Sequence, residues 1–217
     1  MFSASGIHGP VLTPYASMLL DVIFVAAAIL LFWTSKPNKM QSYVFAAFVL
    51  IVVAGRVVLQ PFPNVQPVTV AVLLMGAFQG MKRGISFAIL VTLLSNLFIG
   101  AGWWTLFQVA GWSCVAIIGA ISAQRIGELQ LPRLVYLSVV SAIAFDFIVT
   151  FSLVDSTTTI LEFLSFLYLG LPYDVLHILS NVTFMIWFGH SIQEFLAPIP
   201  EPETETMLAE GLHVFSR

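Results

Sequence analysis

Long apolar runs alternate with short polar gaps along most of the chain. Runs of roughly 17 to 25 apolar residues are long enough to cross a hydrocarbon core of about 30 Å as α-helices. Because helices are the only open-chain structure that satisfies its own backbone hydrogen bonds in lipid, the pattern predicts a bundle of membrane helices. Seven runs fit, at about 16–33, 42–60, 65–81, 85–101, 104–125, 133–154 and 172–196.

Composition makes lipid the solvent of this chain. Of 217 residues, 59% are hydrophobic and only 9% are charged. A water-facing globule of this size could not hide so much apolar surface, so we expect an all-α integral membrane protein. The single cysteine, Cys114, lies inside a predicted helix and cannot form an intrachain disulfide.

Basic residues mark one side of the membrane. Seven of the eight Lys and Arg residues fall in alternate gaps or after the last run, which is the positive-inside pattern. We therefore expect a multi-pass protein with its N-terminus outside and its C-terminus in the cytoplasm. The first run is expected to be retained, because the residues before it lack the features of a secretory signal. The seven basic residues are Lys36, Lys39, Lys82, Arg83, Arg125, Arg133 and Arg217.

These patterns divide the chain into three segments. Residues 1–41 are expected to form an N-terminal segment with one membrane helix, and residues 42–196 a core of six helices. In residues 197–217, prolines alternate with acidic residues, and too little apolar surface is present for the segment to order itself. We expect this segment to be a disordered acidic tail in the cytoplasm.

Polar side chains inside the predicted helices gather at one depth. Counting about 1.5 Å per residue places most of them within roughly 15 Å of the outer surface, whereas the cytoplasmic halves of the helices are almost purely apolar. Their spacing also puts several on shared helix faces. The arrangement predicts a polar and aromatic cavity that opens to the outside. The residues concerned are Arg56, Asn96, Trp104, Thr105, Gln108, Trp112, Asp146, Asp174, His177 and Asn181.

Simpler roles exist for some of these residues. The aromatic ones are of the types that form a belt at membrane interfaces, Arg56 could snorkel from its helix end, and Asn96 could hydrogen-bond between helices. Asp146 is different, because a carboxylate some two turns into the membrane needs a partner. Arg56 is the intramembrane cation at a similar depth, so we expect an Arg56–Asp146 or Arg56–Asp174 pair at the cavity wall.

Missing motifs exclude several functions. The chain contains neither a GxxxxGK[ST] phosphate loop for ATP hydrolysis nor an HExxH zinc motif. A retinal Schiff base needs a lysine in a late helix, and every lysine here lies in a loop. Two alternatives stay open: an intramembrane serine hydrolase that uses Ser180 or Ser113 with His177, and a structural membrane protein without a ligand pocket.

Motifs spread over about residues 42–196 resemble a known family. From Arg56 the chain reads R-x4-P-F-P-N-V-Q-P, followed by G-x3-G-x3-G at residues 76–84. Residues 95–112 read S-N-L-F-I-G-A-G-W-W-T-L-F-Q-V-A-G-W, and residues 170–181 read G-L-P-Y-D-V-L-H-I-L-S-N. Together these motifs resemble the substrate-binding S components of energy-coupling factor (ECF) vitamin transporters, especially the cobalamin-type branch. The chain departs from that pattern at Trp103, Leu106, Phe107 and Val109, which reshape the expected pocket rim.

The resemblance implies a fold and a transport role. It implies a six-helix S-component core in a prokaryotic cell membrane, to which this chain adds one N-terminal transmembrane helix. The pocket would take up a vitamin, cobalamin-like or related, from outside, capped by the loops 61–67 and 100–105. The partners would be a membrane coupling subunit and two ABC ATPases, and the chain itself would be no enzyme and would need no cofactor, metal or nucleic acid.

The resemblance also assigns roles to residues. Trp104, Trp112 and Tyr173 would stack on a flat or macrocyclic ligand. A surface of small residues on the first core helix would dock the coupling subunit, here through Ser42 and Ala46, with Leu50 interrupting the run. Glycines at 76, 80 and 84 would let two helices turn and pack tightly at a cytoplasmic hairpin. Hydrogen bonds to the ligand would come from Asn64, Asn96, Gln108, Asp174, His177 and Asn181.

Overall fold

The protein is a membrane protein built of α-helices, as the apolar pattern predicted, with one short pair of strands before the first helix. Its computed structural model describes residues 3–6, 9–126 and 130–197. Six of the seven helices in these ranges are long and apolar enough to cross a membrane. The helices are α1 (Pro14–Thr34), α2 (Lys39–Val58), α3 (Val68–Gln79), α4 (Met81–Ile99), α5 (Trp104–Ile126), α6 (Leu131–Thr150) and α7 (Ile160–Leu196).

Helices that follow one another along the chain run in opposite directions, so the bundle has two distinct ends. At the first, which we term the cavity end, the segment that follows α2 and the last residues of α4 and α6 meet the first residues of α5 around one void. At the second, the basic end, the end of α1 meets the starts of α2 and α4. There Arg83 donates hydrogen bonds to Ser35 and Gln41, and Lys82 donates to the Thr34 carbonyl oxygen.

Helix α3 is the short centre of the bundle. Its 12 residues rise about 18 Å, less than the hydrocarbon thickness of about 30 Å, and α2, α4, α5, α6 and α7 all contact it. Nine consecutive residues, Val68–Gly76, are buried. The predicted helix over 65–81 is therefore too long. Pro67 disfavours helical geometry in the residue before it, and Gly80, with φ +87°, ends the helix.

Glycines shape the α3–α4 hairpin at the basic end. Gly80 is the whole connection between the two helices, and its positive φ is accessible to glycine without strain. Gly84 lies so close to α3 that a Cβ on it would sit 2.8 Å from the Cα of Gly76. The prediction that these glycines permit a tight turn and close helix packing is confirmed.

Helix α7 is much longer than the sequence indicated. Thr159 accepts a hydrogen bond from the Glu162 backbone N–H, and the Glu162 carboxylate accepts one from the Thr159 N–H at 2.7 Å. This capping box starts the helix at Ile160, and the helix continues through Pro172 for 37 residues in all. The predicted outer loop over 155–171 and the helix start at 172 are wrong, because a membrane helix tolerates an internal proline that would break a soluble one.

Asp155 holds the short connection between α6 and α7. Its Oδ1 accepts hydrogen bonds from the Thr157 N–H at 2.8 Å, the Thr157 hydroxyl at 2.7 Å and the Thr158 hydroxyl at 3.1 Å. These bonds favour the carboxylate and lower the pKa of Asp155 below its usual value. The stability that these bonds give to the turn is fully present at neutral pH, and it is lost as the pH falls through the lowered pKa of Asp155.

Helix α1 lies at the periphery of the bundle, where it packs on α4. The Ser86 hydroxyl donates to the Ala28 carbonyl oxygen at 2.9 Å, and Ala28 is fully buried. Before α1, two short strands, β1 (Ser3–Gly6) and β2 (Gly9–Val11), pair antiparallel, an element the sequence pattern did not predict. The expectation of a disordered tail falls almost entirely on residues 198–217, outside the described residues.

Substituting Gly76 by alanine tests the close packing at the centre of the bundle. The new Cβ would collide with the backbone carbonyl of Ala116 in α5, so a helix must shift. We expect the free energy of unfolding to fall by about 1–3 kcal/mol, measured as a lower Tm of the purified protein in detergent. Gly170→Ala is the matched control, because its Cβ would meet only the Asp174 carboxylate at 3.7 Å. Equal Tm values for the two variants would contradict this packing.

Candidate functional site

A cavity of about 680 Å³ opens at the cavity end of the bundle. It is walled by the four helices α4 to α7, by the loops that precede α3 and α5, and by a 3₁₀ turn, Phe151–Leu153, that follows α6. Amide, hydroxyl and carboxylate groups alternate with aromatic and aliphatic surface along the wall. The lining residues are Gln60, Asn64, Gln66, Ile99, Gly100, Ala101, Trp104, Gln108, Phe145, Asp146, Val149, Thr150, Ser152, Leu153 and Asp174.

The predicted site residues divide into two groups. Five of them line the cavity directly: Asn64, Trp104, Gln108, Asp146 and Asp174. Six others lie buried behind its wall, namely Arg56, Asn96, Thr105, Trp112, His177 and Asn181. Both loops expected to cap a pocket, 61–67 and 100–105, contribute lining residues.

Tyr173 lies outside both groups. Tyr173 is 53% exposed on α7 and is not among the residues that line the cavity. Its backbone carbonyl oxygen accepts a hydrogen bond from Asn64 Nδ2 at 3.0 Å. In this structure Tyr173 therefore fixes the loop before α3 through its backbone.

Arg56 is held by neutral oxygens. Its Nε donates to Gln66 Oε1 at 3.2 Å, and its Nη1 donates to Ser95 Oγ at 2.5 Å and to Asn96 Oδ1 at 3.0 Å. Its guanidinium carbon also lies 4.7 Å from the centre of the Trp112 ring, a cation–π distance. The predicted ion pair of Arg56 with Asp146 or Asp174 is not formed in this structure.

Asp146 is paired with His177 instead. His177 Nδ1 lies 2.9 Å from both carboxylate oxygens of Asp146, and its Nε2 lies 2.9 Å from the Thr69 hydroxyl. The Thr69 hydroxyl also accepts a hydrogen bond from the Trp112 indole N–H at 3.1 Å. The network thus joins α3, α5, α6 and α7 beneath the cavity.

The hydrogen-bonding groups of this network are complementary. A proton on His177 Nδ1 is donated to the Asp146 carboxylate, which accepts it. The Thr69 hydroxyl accepts from the Trp112 N–H and keeps a proton and a second lone pair, so it can serve His177 Nε2 as donor or as acceptor.

Trp112 serves as internal packing. It is fully buried, and its ring stacks on Phe145 with centroids 4.5 Å apart. Phe145 itself lines the cavity, so it stands between Trp112 and any ligand. The Trp112 ring is therefore not among the groups that line the cavity, whereas the Phe145 ring stacked on it is.

Helix α7 turns its polar face toward α6. The face predicted from Asp174, His177 and Asn181 is present, and its members differ in depth. Asp174 reaches the cavity, His177 meets Asp146, and Asn181 Nδ2 donates to the Ser138 carbonyl oxygen at 3.3 Å. Asn181 is fully buried and its Oδ1 has no hydrogen-bond partner within the described chain.

The hydrogen bonds do not join His177 to a candidate serine nucleophile. Its two nitrogens are taken by Asp146 and Thr69, while Ser180 accepts from the Gln66 backbone N–H at 3.2 Å. Asp146, His177 and Thr69 follow the order of a catalytic triad, yet Thr69 is fully buried and out of reach of a substrate. Across residues 9–126 and 130–197, no three Cys, His, Asp or Glu side chains are grouped for metal binding.

Three residues that are important to the site were not predicted from the sequence. Thr69 joins Trp112 to His177, Gln66 holds Arg56 and also lines the cavity, and Phe145 forms part of the cavity floor. Gln66 could have been predicted, because it belongs to the P-N-V-Q-P segment of the quoted motif. Thr69 and Phe145 lie in apolar runs, where no local pattern distinguishes them from ordinary core residues.

The proposed docking surface lies on the outer face of α2. Ala46, Leu50 and Ala54 are exposed there, one turn apart. Ser42 is half-buried, and its hydroxyl donates to the Asn38 carbonyl oxygen at 3.0 Å. The face is therefore apolar and formed of small residues, apart from Leu50.

The chain belongs to the DUF6580 family, a family of unknown function, whose model matches residues 36–194. The match begins after α1 and includes every residue that lines the cavity. Comparisons with the curated proteins and with the solved structures found no match.

Replacing Thr69 by valine tests the buried network. The substitution keeps the shape of the side chain and removes the hydroxyl, which leaves the Trp112 N–H and His177 Nε2 without partners. We expect a loss of about 1–3 kcal/mol in unfolding free energy, measured as a lower Tm in detergent, because both groups are buried.

Two further variants provide the controls. Thr69→Ser keeps the hydroxyl and should retain most of the stability. Thr92→Val alters an equally buried threonine whose hydroxyl donates only to the Ala88 carbonyl oxygen one turn earlier, so its cost should be small. The network would be refuted if Thr69→Val and Thr92→Val unfolded at the same temperature.

Proposed function

We propose that this protein is the membrane-embedded substrate-binding subunit of an ECF-type importer, which captures a vitamin from outside for uptake driven by ATP hydrolysis in its partners. The single observation that carries the proposal is the cavity of about 680 Å³ at the cavity end. Its volume falls within the range of about 300–1,000 Å³ that is usual for sites of small organic ligands.

The wall of the cavity suits such a ligand. Trp104 and Phe145 offer aromatic faces for a flat ring, and Gln60, Asn64 and Gln108 offer amides that both donate and accept hydrogen bonds. The arrangement favours recognition of a heterocycle with several polar edges. The motif resemblance described above favours a cobalamin-like compound or a related vitamin.

Charge supports the direction of uptake. In the part of the chain that the structure describes, six of the seven Lys and Arg residues lie in or beside the connections of the basic end, and the positive-inside rule assigns that end to the cytoplasm. The exception is Arg56, which is buried near the cavity end. The cavity end then faces outward, with the N-terminus outside and the C-terminus in the cytoplasm. A bundle closed at its basic end and open at the other suits capture from outside, with release requiring a partner.

The partners in this proposal are a membrane coupling subunit and two ABC ATPases. The chain has no phosphate loop of its own, so the energy must come from another protein. The exposed face of α2 around Ala46 would permit close approach of a partner helix in the membrane.

Ligand binding by the isolated chain tests the proposal. The full chain, purified in nanodiscs without ATP, should retain a ligand detectable by native mass spectrometry or bind a member of a vitamin panel that includes cobalamin. We expect Trp104→Ala to weaken that binding about tenfold or more through lost stacking. Trp187→Ala is the matched control, since Trp187 is 72% exposed on α7 and does not line the cavity. Folded protein that binds no vitamin and carries no ligand would overturn the proposal.

Docking is tested separately through Ala46. Ala46→Trp should leave ligand affinity unchanged and abolish uptake in cells, because the bulky ring blocks close helix approach. Ile186→Trp, on the exposed surface of α7, is the control and should leave uptake intact. Normal uptake by Ala46→Trp would show that the partner binds elsewhere.

A further inference from the structure

The wall of the cavity carries negative charge. Two carboxylates, Asp146 and Asp174, reach its surface from α6 and α7. Within the described part of the chain, no Lys, Arg or His side chain lines it. The remaining polar lining groups are amides and hydroxyls, which carry no charge.

Asp174 has no partner in the bundle. Asp146 receives a hydrogen bond from His177, whereas no hydrogen bond or ion pair to the Asp174 carboxylate is formed by residues 9–126 and 130–197. Asp174 is nevertheless partly buried, at a point where α7 borders the cavity. A partly buried carboxylate destabilises the folded protein unless a cation or a hydrogen-bond donor pairs with it. Binding of a cation beside Asp174 would therefore be favourable.

The buried guanidinium at this end of the bundle does not pair with Asp174. Arg56 stands behind the wall, where Gln66, Ser95, Asn96 and the Trp112 ring occupy it. His177 does not pair with Asp174 either, because its two ring nitrogens lie against Asp146 and Thr69. The Asp174 carboxylate therefore lies at the cavity surface with no cation from the described residues bonded to it.

We propose that the ligand of this cavity is a monovalent organic cation with a flat ring, and that Asp174 is its counterion. Trp104 and Phe145 are suited to this chemistry, because an aromatic face attracts a cation that is removed from water. An anionic ligand would meet two carboxylates in a site of low dielectric and would be repelled. This inference rests on the proposed capture function and specifies its substrate class.

Charge-selective binding tests the inference with the full chain in nanodiscs. The probes are thiamine, a cationic heterocycle; riboflavin, an uncharged one; and folate, an anion. Aquocobalamin and cyanocobalamin form a matched pair that differs by one positive charge. We expect binding of thiamine or aquocobalamin at least tenfold tighter than that of the uncharged and anionic probes, and a co-purifying ligand, where present, should be a cation.

Asp174→Asn separates a counterion from a structural residue. Removing an unpaired, partly buried carboxylate should raise the Tm of the ligand-free protein and weaken binding of the cationic ligand at least tenfold. A merely structural role would lower the Tm and the affinity together. Asp155→Asn is the control, because it removes one exposed carboxylate from a nearby turn and should leave the affinity unchanged.

The outcomes distinguish the inference from the function on which it rests. Preferred binding of an uncharged or anionic ligand, or cation binding that Asp174→Asn leaves intact, would overturn the cationic assignment and leave the capture function standing. Folded protein that binds none of the probes and carries no ligand would overturn the capture function and the inference with it.

Discussion

The structure depends on the need to satisfy polar groups that no water can reach. In lipid each unsatisfied polar group costs several kcal/mol. In this bundle the buried polar groups are brought together around the indole ring of Trp112. Trp112 supports the Arg56 guanidinium on one face, stacks against Phe145 and donates its N–H to Thr69. Five helices are joined in this way, since Thr69 continues to His177 on α7. At the interior end of the cavity, Arg56, Trp112 and His177 therefore all have hydrogen-bond or ring partners within the bundle.

The short central helix explains why a cavity exists above that network. Because α3 begins only at Val68, the connection from α2 enters the bundle in place of further helical turns. That connection supplies Gln60, Asn64 and Gln66 to the wall, and Gln66 also holds Arg56. A helix of full length would have filled the same space with apolar side chains. The truncation of α3 and the chemistry of the site thus have one origin.

Much of this architecture was predictable from the sequence, and the failures have physical causes. Long apolar runs gave the helices, and the common depth of Asp146, Asp174 and Gln108 indicated one cavity end. The pairing of charges was not predictable, because it depends on helix rotation. Arg56 and Asp146 share a depth, yet neutral oxygens hold the first and His177 the second. The predicted start of α7 at residue 172 was wrong, because the helix begins after the capping box of Thr159 and Glu162, a T-x-x-E pattern that is present in the sequence.

The length of α7 has a consequence for how the protein sits in its bilayer. At about 1.5 Å per residue its 37 residues extend about 55 Å, nearly twice the hydrocarbon thickness of about 30 Å. The first turns bear exposed side chains such as Ile160, Leu161 and Leu164, which water would not favour. Hydrophobic mismatch of this size is relieved when the helix tilts away from the membrane normal or when the bilayer thickens locally. The tilt of the whole bundle in the membrane is thereby linked to the thickness of the surrounding bilayer.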